Sequence, residues 1–198
     1  MGISAATIKQ LRDATGAGVL DCRKALEQTG GDLDKAKAWL KDKGLASAAK
    51  KSDRVAKDGL IGSYIHHNSR VAVLIEVNCE TDFVARTEGF KTLTQTIAKH
   101  IAMANPKYIK PEDIPATALE ETRHGFEQEA LVAGAAESEV ADVVARKLGK
   151  FYEETCLLTQ PYVLNDKVTI GELVTQGVND LKENIVVRRF VRYELGAE

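Results

Sequence analysis

An α+β fold is predicted: a small all-helical region, then a larger core of antiparallel sheet packed with helices. Three observations predict it. Residues 1–45 carry short apolar stripes at helical spacing, punctuated by glycines. Two β-branched runs then flank a turn dipeptide, and one of them alternates strictly as Val71, Val73, Ile75 and Val77. Amphipathic helical stretches follow, and a second β-rich run spans residues 185–195.

The first region divides into three helices. Ser4 is placed to cap the first, with Ile8 and Leu11 on its inner face. Thr15-Gly16-Ala17-Gly18 breaks it, because glycine disfavours helix and permits tight turns. A second helix is expected from Val19 to Thr29, with Cys22, Ala25 and Leu26 on one face, ended by Gly30-Gly31. Asp32 caps the third, whose stripe is Leu33, Ala36, Trp39 and Leu40; Gly44 is the expected stop. Trp39 is expected to supply much of the buried area of so small a core. Residues 46–57 are small and basic (Lys50, Lys51, Arg54, Lys57) and read as a linker whose charges form a solvated face. Domain boundaries at 1–45, 46–57 and 58–198 follow.

In the core, Leu60–His67 and Arg70–Asn78 are expected as strands joined through Asn68-Ser69. A helix is expected over Thr87–Asn105, with Phe90, Leu93, Ile97, Ala98 and Ile101 on one side. Pro106, Pro111 and Pro115 mark an extended connection. Thr117-Ala118-Leu119-Glu120 fits a capping box. Another helix is expected from Ser138, with Val140, Val143, Val144 and Leu148 sharing a face and a continuation through Phe151 and Tyr152. Thr169-Ile170-Gly171-Glu172 is a second capping-box match, before a helix ending near Asn184. The run Ile185–Leu195, studded with Arg188, Arg189 and Arg192, is expected to add a strand to the hairpin.

The composition narrows the function. The chain has 198 residues and a net charge of -2. A direct nucleic-acid partner is not expected, since such binders usually carry a basic excess to neutralise phosphates. No apolar run approaches the roughly 20 residues that span a bilayer, and the start lacks the charged and apolar regions of a signal peptide. Three cysteines without a CxxC pair argue against a disulfide scaffold and a zinc site. The chain is read as cytoplasmic, with reduced thiols and no cofactor.

Gly16-Ala17-Gly18 follows a helix and lacks a GK[ST] sequence, so it reads as a turn and not a phosphate loop. His66 and His67 sit beside the turn; as adjacent strand residues they would point to opposite faces and could not easily share a metal, and exposed turn histidines are the better reading. Cys79, near Glu80 and Asp82, has no base to activate it, and a small buried thiol is the stronger reading. Thr81-Asp82-Phe83-Val84 sits between a strand and the long helix. Either Phe83 folds back into the core while Asp82 or Thr81 caps the long helix, or its ring is exposed as an anchor for a protein partner. Burial statistics alone favour the first.

The segment Leu11-Arg12-Asp13-Ala14-Thr15-Gly16-Ala17-Gly18-Val19-Leu20-Asp21-Cys22-Arg23-Lys24-Ala25-Leu26 resembles the first signature of the elongation factor Ts family. Glu76-Val77-Asn78-Cys79-Glu80-Thr81-Asp82-Phe83-Val84-Ala85-Arg86 resembles the second. Cys156–Val163 and Asn184–Phe190 are similar to later family segments, in family order. Arg23 stands where lysine is usual, which keeps the charge.

The resemblance implies a three-helix, ubiquitin-associated-like domain, then a dimerisation-type α+β core. It implies guanine-nucleotide exchange on elongation factor Tu in its GDP-bound and nucleotide-free states, with no catalysis on a small molecule. It assigns Thr81, Asp82, Phe83 and Val84 to a loop that dislodges the magnesium held by Tu. It assigns Leu11, Arg12, Thr15, Gly16, Gly18, Val19 and Leu20 to the N-terminal contact region, without separating residues that touch Tu from those that pack. Longer members duplicate the core and insert a coiled coil. The single core expected here would gain a second copy in a homodimer. Two other functions compete: an adaptor that uses the three-helix domain to hold a peptide or ubiquitin-like partner, and a thiol hydrolase built on Cys79.

Overall fold

The computed structural model describes residues 3–197, and the chain divides into two compact units between Arg54 and Val55. In the first unit, α1 spans Ala5–Thr15, α2 Val19–Gln28 and α3 Leu33–Ala49. The Ser4 hydroxyl accepts from the Thr7 N–H, and the Asp32 carboxylate accepts from Asp34 and Lys35. The Lys35 N–H holds the Asp32 carboxyl below its ordinary range. Gly16 ends α1 in the left-handed region at φ 68°. The core is Leu11, Cys22, Ala25, Leu26 and Ala36, with Ile8, Leu33, Trp39 and Leu40 packed at its margin. Trp39 is thus a half-buried wall of this core, and Leu11 and Leu26 fill its centre with Cys22 and two alanines. Gly44 does not stop α3. Lys43, Leu45, Ala46, Ala48 and Ala49 all favour helix and outweigh one glycine, which costs about 1 kcal/mol.

The second unit is built on a three-stranded antiparallel sheet of order β1-β2-β5. β1 is Asp58–Ile65, β2 is Val71–Cys79 and β5 is Val186–Glu194. Gly62 faces Ile75, which faces Phe190; Tyr64 faces Val73, which faces Arg192. Val73, Ile75 and Val77 therefore point to one face and are buried, as their alternation predicts. That face is covered by a helix, α5 (Glu88–Ala104), through Phe90, Thr94, Ile97, Ala98 and Ile101. A side chain at Gly62 would meet Thr94 at 2.5 Å, so strand and helix approach closely there. The other face carries Ile61, Ile65, Leu74, Val191 and Tyr193, all exposed. Glu76 lies among them and binds Arg189 at 2.7 Å, which holds its carboxyl below the ordinary range. The extra residue Arg188 makes a bulge opposite Glu76/Val77.

A four-residue helix, α4 (Asp82–Ala85), joins β2 to α5, capped by Thr81; Thr87 caps α5. Next come α6 (Ala116–Val132) and α7 (Glu137–Thr155), two antiparallel helices that pack chiefly on each other. The expected box at Thr117–Glu120 does not form. Pro115 occupies the cap position, the helix starts at Ala116, and Glu120 binds Arg123 instead. β3 (Pro161–Tyr162) and β4 (Asn165–Thr169) form a small hairpin that the sequence did not suggest. Its tip, Val163-Leu164, lacks the usual glycine or asparagine turn signal. Thr169 and Glu172 make the full reciprocal capping box of α8 (Ile170–Leu181), and Lys182 ends that helix at φ 66°. Among the described residues, no helix is long and apolar enough to cross a membrane.

Candidate functional site: the loop after strand β2

The segment 80–86 leaves β2 and turns at once into α4. Val84 and Ala85 face inward, 8% and 7% exposed. Phe83 faces outward and is 79% exposed. Burial statistics therefore point the wrong way here: the ring is not a core residue. Its inward neighbours Val84 and Ala85 anchor the turn. Asp82 pairs with Arg86 at 2.7 Å on the same exposed surface.

The loop is fastened on its N-terminal side. The Cys79 thiol donates to the Thr81 carbonyl at 3.2 Å. The backbone N–H groups of Glu80 and Thr81 both donate to Glu183 Oε2 at 3.0 Å, and the Thr81 hydroxyl donates to Glu183 Oε1 at 2.6 Å. The Asn184 N–H donates to Glu80 Oε1 at 2.6 Å. The Thr81 hydroxyl also accepts the Val84 N–H at 3.3 Å, which caps α4. No local pattern pointed to Glu183, because its partners lie 102 and 103 positions away.

Cys79 is fully buried. Burial first, then the nearby Glu183 carboxylate, push its thiol up to about 11. It is protonated at neutral pH and screened from solvent, so the hydrolase reading fails on chemistry. His66 and His67 lie beyond the end of β1, within the turn. They do not point to opposite faces of a strand: their ring centroids are 4.2 Å apart, and His66 Nδ1 meets the Tyr64 hydroxyl at 3.1 Å. Among the described residues, no group of three or more His, Cys, Asp or Glu could hold a metal ion.

The residues assigned to the N-terminal contact region sort by exposure. Leu11 is 0% exposed and belongs to the core. The Thr15 hydroxyl donates to the Leu11 carbonyl at 2.7 Å and accepts from the Ala17 N–H, fixing the turn. Gly16 supplies the left-handed residue, and Gly18 precedes α2. Arg12 is exposed, Val19 is 51% exposed and Leu20 is 80% exposed. These last three are the exposed side chains of the set, and Gly16 and Gly18 are exposed beside them without a side chain.

Comparison with known proteins agrees with this architecture. The family model described as Elongation factor TS matches residues 46–197. Proteins named Elongation factor Ts are similar over almost the whole chain. The one from Coprothermobacter proteolyticus is 51% identical over 99% of this chain and 100% of its own length. That from Thermoanaerobacter pseudethanolicus is 49% identical over 98% and 95%, and that from Heliobacterium modesticaldum 47% over 98% and 90%. These relatives extend the match across the three-helix unit that the family model leaves out. With its family model over residues 46–197 and relatives about half identical over nearly its whole length, the chain belongs to the elongation factor Ts family.

Proposed function

We propose that this chain is a guanine-nucleotide exchange factor that binds elongation factor Tu in its GDP-bound state and speeds GDP release. It acts by protein–protein binding, in the cytoplasm, without a cofactor of its own and without direct contact to nucleic acid. The observation that carries the reading is Phe83, a large aromatic ring 79% exposed on a loop otherwise well fastened. Aromatic rings are enriched among the anchors of protein–protein interfaces, and this one stands where the family resemblance places a contact loop. Phe83 enters Tu near its magnesium and phosphate site, and Asp82 displaces the surrounding structure. Magnesium demands near-ideal octahedral geometry, so a small shift of its surroundings weakens GDP strongly. Linkage requires that GDP weaken the factor by the same ratio. Arg12, Val19 and Leu20 form the second contact, on the nucleotide-binding domain of Tu.

Stopped-flow release of a fluorescent GDP analogue from Tu tests this. Phe83→Ala is expected to leave stability within about 0.5 kcal/mol of the parent, since the ring is exposed. At saturating factor, GDP release slows markedly while binding persists. A well-folded Phe83→Ala protein with full activity would remove the wedge mechanism. A chain that never accelerates release would remove the exchange reading altogether.

The exposed sheet face supports a further part of the reading, a homodimer. Ile61, Ile65, Leu74, Val191 and Tyr193 form an apolar strip on β1, β2 and β5, and a second copy covers such a strip with the same strip by two-fold symmetry.

A further inference from the structure

Helix α4 is four residues long and cannot hold a shape in isolation. What fixes the start of its loop is a reciprocal pair of carboxylates drawn from segments far apart in the chain. Glu183 receives two backbone N–H groups, at Glu80 and Thr81, and the Thr81 hydroxyl. Glu80 receives the N–H of Asn184 in return. Bonds to an ionised acceptor are shorter and stronger than neutral ones. Because the Thr81 hydroxyl spends its proton on Glu183, its lone pairs are left for the Val84 N–H, so one carboxylate also orients the cap of α4. Glu183 itself sits between the end of α8 at Lys182 and the start of β5, whose pairing with β2 sets its position.

We propose that Glu183 is a positioning residue for nucleotide exchange: buried Val84 and Ala85 turn Phe83 outward, and Glu183, by holding the N-terminal end of the loop, sets the angle at which the ring leaves the surface, without touching Tu. This rests on the reading of Phe83 as the group that enters Tu. A carboxylate that merely stabilised the fold would change melting and leave the bound complex equally productive. One that aims Phe83 changes the rate within the complex.

The test uses the full chain, Tu loaded with a fluorescent GDP analogue, and NMR hydrogen exchange at the Glu80 and Thr81 amides. In Glu183→Ala, those amides are expected to exchange faster. The maximal rate of GDP release falls about tenfold, less than the roughly hundredfold that a 1 Å misplacement of a working group can cost. The half-saturating concentration of factor changes by less than about twofold. Glu183→Gln keeps one oxygen for the two N–H groups and recovers most of the rate. In a Phe83→Ala background, Glu183→Ala costs nothing further, because both act through one ring. Unchanged amide exchange, a full release rate, or an undiminished loss in the Phe83→Ala background would each overturn the proposal. If Glu183→Ala does not melt cooperatively, Glu183→Asp, which keeps the charge and shortens its reach, is read by the same criteria. Failure of the wedge reading shows in Phe83→Ala alone, with Glu183 intact. Failure of the clamp shows in amide exchange, with Phe83 intact.

Discussion

Leu11 and Leu20 lie nine positions apart within one signature and do opposite work. Leu11 is fully buried among Cys22, Ala25, Leu26 and Ala36. Leu11→Ala is therefore expected to cost about 2–5 kcal/mol by leaving a cavity, which in so small a core abolishes folding of the three-helix unit. Leu20 is 80% exposed. Leu20→Ala is expected to shift stability by within about 0.5 kcal/mol and, if Leu20 lies in the proposed contact with Tu, to weaken that binding. Thermal melting and a binding titration on the two variants separate the roles. The signature as a string does not make this distinction; exposure does. The same holds for Phe83, where average burial pointed inward and the local anchoring of Val84 and Ala85 turned the ring outward.

The helices and their caps were mostly legible, because caps are local chemistry. Ser4, Asp32 and Thr169 each bind backbone groups within three residues, and all stand where the sequence put them. What stayed hidden depends on distance or on competition. The Thr117 box lost to Pro115, the β3–β4 hairpin turns on two apolar residues, and Glu183 is one acid among 29 acidic residues with partners a hundred positions away. Fully buried His100 is another such case. Its Nε2 meets Gln160 Oε1 at 2.8 Å, and its Nδ1 accepts the Val163 N–H at 3.3 Å, so the ring is neutral with its proton on Nε2. Burial pushes its pKa below the ordinary 6.5. A neutral imidazole in the fold and a protonatable one in the unfolded chain make stability full above that value. Stability then declines as pH falls below 6.5, because the unfolded chain binds the extra proton. Melting temperatures from pH 8 to pH 5 are expected to fall more steeply than in His100→Gln. Equal slopes would show that His100 does not titrate between the two states.

Across the whole molecule, the sheet is unequal on its two sides. One face is sealed by α5, and the other leaves Ile61, Ile65, Leu74, Val191 and Tyr193 in water. On that face Arg189 pairs with Glu76 and Arg188 approaches it, whereas Arg192, opposite Val73, lies on the covered side, pairs with Glu194 and donates to the Ala102 carbonyl. Sedimentation equilibrium at tens of micromolar, on the order of modest interface affinities, is expected to show dimers. Leu74→Glu, which places charge at the centre of the strip, is expected to yield monomers with unchanged secondary structure. Only monomers in the parent protein would remove the homodimer.

The placement of β5 also governs when the larger unit can become native during synthesis. Strands β1 and β2 meet across a short turn, but β2 must wait for Val186–Glu194, more than a hundred residues later, to complete the sheet. Closing so long a loop costs entropy before any contact repays it. Glu183 emerges just ahead of that strand, so the Phe83 loop stays unfastened over the same interval. The three-helix unit carries its own core and meets no such delay. A nascent chain halted before residue 183 would thus carry a finished three-helix unit and an unfastened Phe83 loop. A factor that serves translation acquires its working geometry only in the last stretch of its own.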